Sequence, residues 1–517
     1  MDFAQARGQL ADAVASQDPV RIAEFASRQI FRLFCGDYAG LLRAVQLLPP
    51  EVLQQYPALC LVQPSAGVVA RSTRPVDLSA FDSYRGVPGE EQAIAVALKM
   101  IAARAGGDIV TAVSYAKHLA ELVRLGRGGH SGDPTGPLWF LHEQMGSTLL
   151  CAGSTSSALR EFATARQYGE TLDSIDARRT TEGRAAVALA VRGSIEDAER
   201  SLRAAVGYPP LSDAFHRNAL STERTAAALI AVDRMNAEAA QRVSELDEVD
   251  VYDVIWPFIF LARVRYLLAI HRAEDALETA RTTEAAHVVQ PGTFAADVLA
   301  AHRVSAHLAL GDVGTAASVV ESQARPGPAT QFSRLRMNIH SSDFAEASRV
   351  HRALSSSSWL APAHRAELHL LKAFIEILQL GEVSPAVATR IATIAETGHF
   401  RRLFTSVPAE VVERVREQLD DSRIGSFDAG LAGLGFLPRF QPRPQLTRAE
   451  GRVLGALQTA TTTAEIAGLL GVSVNTVKTQ LRRLYRKLGV SSRVEAIAAG
   501  ERHDLTTWLP DDTAPTP

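Results

Sequence analysis

The stretch SVNTVKTQLRRLYRKLG, residues 473–489, carries two chemistries on one predicted helix. Val477, Leu481, Leu484 and Leu488 recur at i, i+4, i+7 and i+11, the spacing of a single buried stripe. Asn475, Lys478, Thr479, Arg482, Arg483 and Arg486 must then point elsewhere, giving a solvent face of hydrogen-bonding and cationic groups. A helix so divided fits the major groove of duplex DNA. Its polar face meets base edges and phosphates while its leucines hold it to a scaffold. Charge agrees with this local reading. Residues 446–500 hold eight Lys or Arg and three Asp or Glu, a balance of +5, whereas the whole chain has 54 basic and 57 acidic residues, leaving 46 minus 54, or -8, for the rest. Phosphate neutralisation by so confined a basic footprint would supply most of the affinity and make it fall with salt, and a few base contacts would confer selectivity.

The elements that must position this helix announce themselves by capping. Thr447 with Glu450, Thr462 with Glu465 and Ser492 with Glu495 each place a hydroxyl and an acid three residues apart, so three helices are expected to begin there. Ser473 caps the helix described above, Gly471 supplies the tight turn before it, and Gly489 is placed to end it.

These residues resemble the LuxR-type helix-turn-helix family. Leu446, Thr447, Glu450, Val453, Leu454, Glu465-Ile466-Ala467, Leu470, Ser473, Thr476-Val477-Lys478, Leu481, Lys487-Leu488, Arg493 and Ala496 sit at the family's spacing. The resemblance implies a bacterial regulator with base or groove contacts by Lys478, Thr479 and Arg482, and phosphate contacts around Asn475, Thr476 and Arg486. It also implies promoter DNA and RNA polymerase as partners, and a homodimer formed through the helix 492–499. Two positions depart from the pattern: Ala460 stands where a glycine is usual, and Gln480 where a histidine is frequent. Region 4 of sigma factors carries a similar TVK helix, but the fourth helix, SSRVEAIAAG, suits the LuxR type and no sigma region 2 is visible upstream.

Upstream, composition favours packed helices: 46% of residues are hydrophobic and only 6% aromatic, with few β-branched runs. From about residue 90 to 400 an apolar helix, a short polar or glycine break and a second helix with an early alanine recur. Aligning Gly153, Gly193, Arg234, His271, Gly311, Ser342 and Gly381 gives intervals of 31–41 residues, and five places after each comes Ala158, Ala198, Ala239, Ala276, Ala316, Ala347 or Ala386. Such helix pairs cannot hide their apolar stripes alone and must stack. The expected fold is therefore all-α: an α-solenoid of tetratricopeptide-like helical hairpins plus a C-terminal four-helix module.

The predicted organisation is a repeat body over 1–425, interrupted by an irregular insertion at 61–90, then a Gly/Pro-rich linker at 426–445 that cannot sustain a helix. The helix-turn-helix module follows at 446–505 and a flexible tail at 506–517. LLPPEVLQQYPALCL, residues 47–61, resembles the stretch that opens the helical repeats in large LuxR-type regulators of the maltose-activator kind. No GxxxxGK[ST] is present, so the chain reads as such a regulator without its ATPase. The first 120 residues show helical periodicity, not the alternating strands of a phosphoreceiver.

Other motifs read as structure. Cys35, Cys60 and Cys151 are expected to be reduced core thiols; His364, Glu367 and His369 do not share one helical face and read as surface residues, with no metal; and SELDEVDVYD, 244–253, reads as a solvated turn. Trp139, Phe140, Trp256, Phe258 and Phe260 are expected in the core. No Ser/His/Asp, Cys/His or paired-carboxylate arrangement assigns catalysis, and no cofactor is implied. The N-terminus lacks a secretory pattern, and the most apolar window, 254–270, carries Arg263 and Arg265, so a cytoplasmic protein without a membrane span is expected. The sequence thus points to a regulator whose repeats receive a peptide, protein or small-molecule effector, with an interaction scaffold as the competing class.

Overall fold

The computed structural model describes residues 3–30, 32–33, 37–60, 62, 90–126, 138–211, 213–249, 254–438, 446–488, 490–502 and 505. Nearly all of the expected insertion at 61–90, Cys35, Gly489 and the tail 506–517 lie outside them. Among the described residues the elements are helices, and the single β-type contact is an isolated bridge between Pro408 and Leu437.

Helices α1 (Phe3–Ala15), α2 (Pro19–Arg28) and α3 (Tyr38–Gln46) enclose a small core of their own around Leu10, Ile22, Leu33 and Leu41. Eight helical hairpins follow among the described residues. They are α4 (Glu90–Ala105) with α5 (Ile109–Gly126), α6 (Leu138–Cys151) with α7 (Thr155–Thr171), α8 (Ile175–Arg192) with α9 (Ile195–Gly207), and α10 (Asp213–Arg234) with α11 (Ala239–Ser244). Then come α12 (Trp256–Ala269) with α13 (Ala273–Ala286), α14 (Phe294–Ala309) with α15 (Val313–Glu321), α16 (Pro328–His340) with α17 (Phe344–Ser355), and α18 (Pro362–Leu380) with α19 (Pro385–Thr397). Each hairpin packs on the next, so the apolar stripes join into continuous cores.

One backbone device turns the hairpins. Gly153, Gly193, Gly311 and Gly381 all have φ of 80°, and His271 and Ser342 adopt the same left-handed region at 61° and 59°. In the fourth hairpin the left-handed residue is Met235, at φ 44°, one place after the Arg234 that periodicity selects. The alanines at 158, 198, 239, 276, 316 and 347 are buried where the second helix approaches the first. Ala386 is exposed. Here the break is longer, the helix starts at Pro385, and Ala388 takes the buried place. Gly107, at φ 83° with Ala112 buried behind it, is a further unit of the same kind that the period count missed.

The solenoid also closes on itself. A Cβ at Gly193 would lie 2.7 Å from Ala363 and 2.8 Å from the Phe400 ring, because α8 meets α18 across four intervening hairpins. Asp108 accepts a hydrogen bond from Gln290 Nε2 at 3.0 Å, and Gly435 abuts His271. Gly193→Ala is therefore expected to cost about 1–2 kcal/mol for the left-handed backbone plus about 1–3 kcal/mol for overpacking. Gly311→Ala, with nothing within 4 Å of its added methyl, should cost only the backbone part. Comparing the two unfolding midpoints checks this: equal midpoints would mean that the closing contact carries no stability.

Beyond the hairpins lie α20 (Arg401–Phe404), α21 (Ala409–Glu417) and α22 (Asp421–Leu431). The last corrects the expectation of a helix-free linker at 426–445. Phe427 and Leu431 are buried against the preceding hairpin, and Gly430, read from sequence as a breaker, lets α22 approach the Ala395 carbonyl of α19. Packing outweighs glycine's weak helix propensity here.

Other expectations also shift. Cys60 is exposed, whereas Cys151 is buried. His364 and Glu367 are not surface residues: His364 stacks on Phe332 at 5.3 Å, and Glu367 pairs with Arg336 at 2.6 Å. In the described part of the acidic run, 244–249, Asp247 and Glu248 are exposed as expected, and they also pair with Arg263 and Arg224, both at 2.7 Å, while Glu245 pairs with Arg242 at 3.2 Å; residues 250–253 lie outside the described residues. Trp139, Phe140, Phe258 and Phe260 are buried, and Trp256 packs partly exposed with its ring 4.2 Å from that of His287. No described helix is long and apolar enough to cross a membrane.

Candidate nucleic-acid interface

Four helices build the C-terminal module: α23 (Arg448–Thr459), α24 (Thr463–Leu470), α25 (Val474–Leu488) and α26 (Arg493–Arg502). Thr447 Oγ1 accepts from the Glu450 amide at 3.3 Å and the Glu450 carboxylate accepts from the Thr447 amide at 2.8 Å. Thr462 and Glu465 repeat this reciprocal box, at 3.2 Å in each direction. The third box is offset. Ser492 Oγ accepts from the Glu495 amide at 3.2 Å, but the Glu495 carboxylate receives the amide and hydroxyl of Ser491 at 2.8 and 3.1 Å. Gly471, at φ 66°, closes α24, and Ser473 Oγ accepts from the Thr476 amide at 3.1 Å to open α25.

The stripe on α25 does what its spacing requires. Val477 and Leu484 are buried, and Leu481, Tyr485 and Leu488 pack beside them against Val453, Leu454, Leu457, Ile466 and Ala496. Asn475, Thr476, Lys478, Thr479, Arg482, Arg483 and Arg486 are all exposed. The seven lie along one helix, so a single rigid element carries two hydroxyls, an amide and four cations to solvent. The Thr476 hydroxyl is 2.8 Å from that of Ser473, and Thr479 donates to the Asn475 carbonyl at 3.0 Å.

Three other basic residues of the module hold it together instead. Lys487 Nζ lies 2.6 Å from Glu450 Oε2, tying α25 to the start of α23. Arg493 donates to the carbonyls of Leu457 and Ala460 and, at 2.7 Å, of Thr461, satisfying the C-terminus of α23. Arg452 donates to the Leu470 carbonyl at 3.3 Å. Their partners lie 18 to 37 residues away in sequence, so no helical spacing announces these roles. Ala460 is buried with φ -104° and ψ 138°, ordinary extended backbone that needs no glycine.

Burial raises the Glu450 pKa, but hydrogen bonds from Lys487 and Thr447 outweigh it and hold the carboxyl below the usual value. A folded-state pKa below the unfolded one gives stability that is present above the unfolded value and lost as pH falls through the folded one. The module should therefore lose amide-exchange protection in acid, and Glu450→Gln should lower its protection near neutrality while flattening that acid limb. An unchanged acid limb in the variant would exclude Glu450 as its source.

Residues 444–499 match the family described as bacterial regulatory proteins of the luxR family. The C-terminal module is a LuxR-family domain. The same region is 42% identical over 57 residues to the HTH-type transcriptional regulator MalT of Serratia proteamaculans, and likewise to that of Yersinia enterocolitica. MalT of Klebsiella pneumoniae is 38% identical over 72 residues. These matches cover 11–12% of this chain and only 6–8% of the relatives' length. The likeness of the LuxR-family domain thus accompanies a helical body outside the matched segment.

Proposed function

We propose that the protein is a transcriptional regulator that binds promoter DNA through α25 of its LuxR-family domain. The observation that carries this reading is the exposure of all seven polar and cationic residues of α25 while its apolar stripe is buried. Lys478, Thr479 and Arg482 would read base edges, and Asn475, Thr476, Arg483 and Arg486 would contact the backbone. Two modules would pair through α26, whose Val494 is exposed, and RNA polymerase would be a further partner. The repeat body, within about 1–425, would receive the effector and the segment around 438–445 would connect it to the domain. Titrating the full chain with duplex DNA over a series of salt concentrations tests the reading. A steep fall of affinity with salt and a two-to-one stoichiometry are expected, and no duplex binding in dilute buffer would overturn it.

A further inference from the structure

Most charged groups buried in the repeats are matched one to one. Arg179 pairs with Glu223 at 2.8 Å and Arg184 with Glu143 at 3.1 Å, each between the first helices of successive hairpins. Where the solenoid closes, the matching fails. Asp233 at the end of α10 accepts from Arg265 of α12 at 3.3 Å and from Arg402 of α20 at 2.5 Å. Arg336 of α16 lies 2.6 Å from Glu367 of α18. The side chains of Asp233, Arg265, Arg402, Glu367 and Arg336 are only 2, 12, 14, 14 and 20% exposed.

Three guanidiniums thus meet two carboxylates. The charges around neighbouring His364 leave this excess unchanged, and Arg234, next to Asp233 in sequence, is matched by Glu199 at 2.8 Å, whereas Glu196 near His399 is 76% exposed and screened by solvent. Arg192 and Asp297 act on neighbouring His364 and add one charge of each sign, four against three. Asp297 is moreover occupied by the amides of Ala329 and Thr330, both at 2.9 Å. His302 contributes no charge: its Nδ1 faces the Val298 carbonyl at 2.7 Å, and burial, then Arg265, Arg402 and Arg336, pushes its pKa down to about 3.

A buried guanidinium without a counter-charge costs several kcal/mol, and arginine does not relieve this by losing its proton. Burial lowers the Arg265 pKa only to about 10, so it stays charged at neutral pH. Arg265 and Arg402 each make one side-chain hydrogen bond among the described residues, both to Asp233. The remaining donors of each fork suit a planar or tetrahedral oxyanion.

We propose that the interior of the closed solenoid, among Arg265, Arg336 and Arg402, binds a small oxyanion, either inorganic phosphate or the carboxylate or phosphate of a metabolite. The groups come from α10, α12, α16, α18 and α20, so the bound anion favours the closed form and serves as an effector. The site does not rest on the DNA-binding reading.

The test is thermal unfolding of the full chain at fixed ionic strength, with chloride replaced stepwise by acetate or by inorganic phosphate. A saturable rise of the midpoint with at least one is expected. A response to acetate alone assigns a carboxylate ligand, and to phosphate alone a phosphoryl one. Glu367→Gln raises the excess charge to two and should tighten the apparent anion affinity by about tenfold or more. Arg336→Gln removes the excess and should abolish the response, and the double variant, restored to an excess of one, should regain it. If Arg336→Gln does not fold, Arg402→Gln makes the same charge change. No saturable response to either anion, or single variants that shift it in the same direction, would overturn the proposal.

Discussion

Lys478→Ala combined with Arg482→Ala is expected to weaken binding of the full chain to its preferred duplex by about a hundredfold or more, since each lost base contact costs a factor of about 5 to 150. The preferred duplex is obtained by selection from a random-sequence pool. Discrimination between this duplex and a scrambled one should shrink in parallel, because base contacts and not bulk charge are removed. Arg483→Ala and Arg486→Ala should behave differently. Each should weaken both duplexes alike and lower the slope of log affinity against log salt by about one. All four cations are exposed on α25, so the substitutions leave its buried stripe intact. Unchanged selectivity in the Lys478/Arg482 double variant would shift base reading to another element and favour the scaffold alternative.

Asp233→Ala is expected to destabilise the repeat body by about 3–5 kcal/mol, the usual cost of stranding buried cations by removing their partner. Asp233 is the shared acceptor for Arg265 and Arg402, and it joins α10 to a helix 169 residues further along the chain. The loss should appear first as increased hydrogen exchange in α10, α12 and α20, ahead of α1 to α3, whose core is separate. Asp233→Asn keeps one acceptor and should lose less. Equal protection in Asp233→Ala and the parent chain would show that the closing contact does not contribute to stability.

The legibility of the sequence followed the range of the interaction. Capping at Thr447, Thr462 and Ser473 was readable because the hydroxyl and the amide it accepts from, joined at the first two by an acid, lie within three residues, a distance at which spacing alone sets geometry. The α25 stripe was readable for the same reason. Small displacements escaped: Met235 for Arg234 and Ala388 for Ala386 differ by one or two residues, which periodicity does not resolve when a break lengthens. Gly430 was misread because a glycine that breaks a helix and one that admits a neighbour look alike in sequence.

Longer-range roles were silent. Lys487 and Arg493 counted simply as basic residues until the fold set them on Glu450 and on the end of α23. By itself the sequence determined the all-α class, the hairpin rhythm and the face that α25 turns to solvent, because each rests on local propensity and helical periodicity, while the LuxR-family domain was legible through its resemblance at matched positions. Only the tertiary structure decided that the solenoid closes on itself and gathers Asp233, Arg265, Arg336, Glu367 and Arg402 from five helices. The physical reason is that the charge balance of a buried site depends on which distant helices meet, and that is fixed by stacking geometry summed over many hairpins.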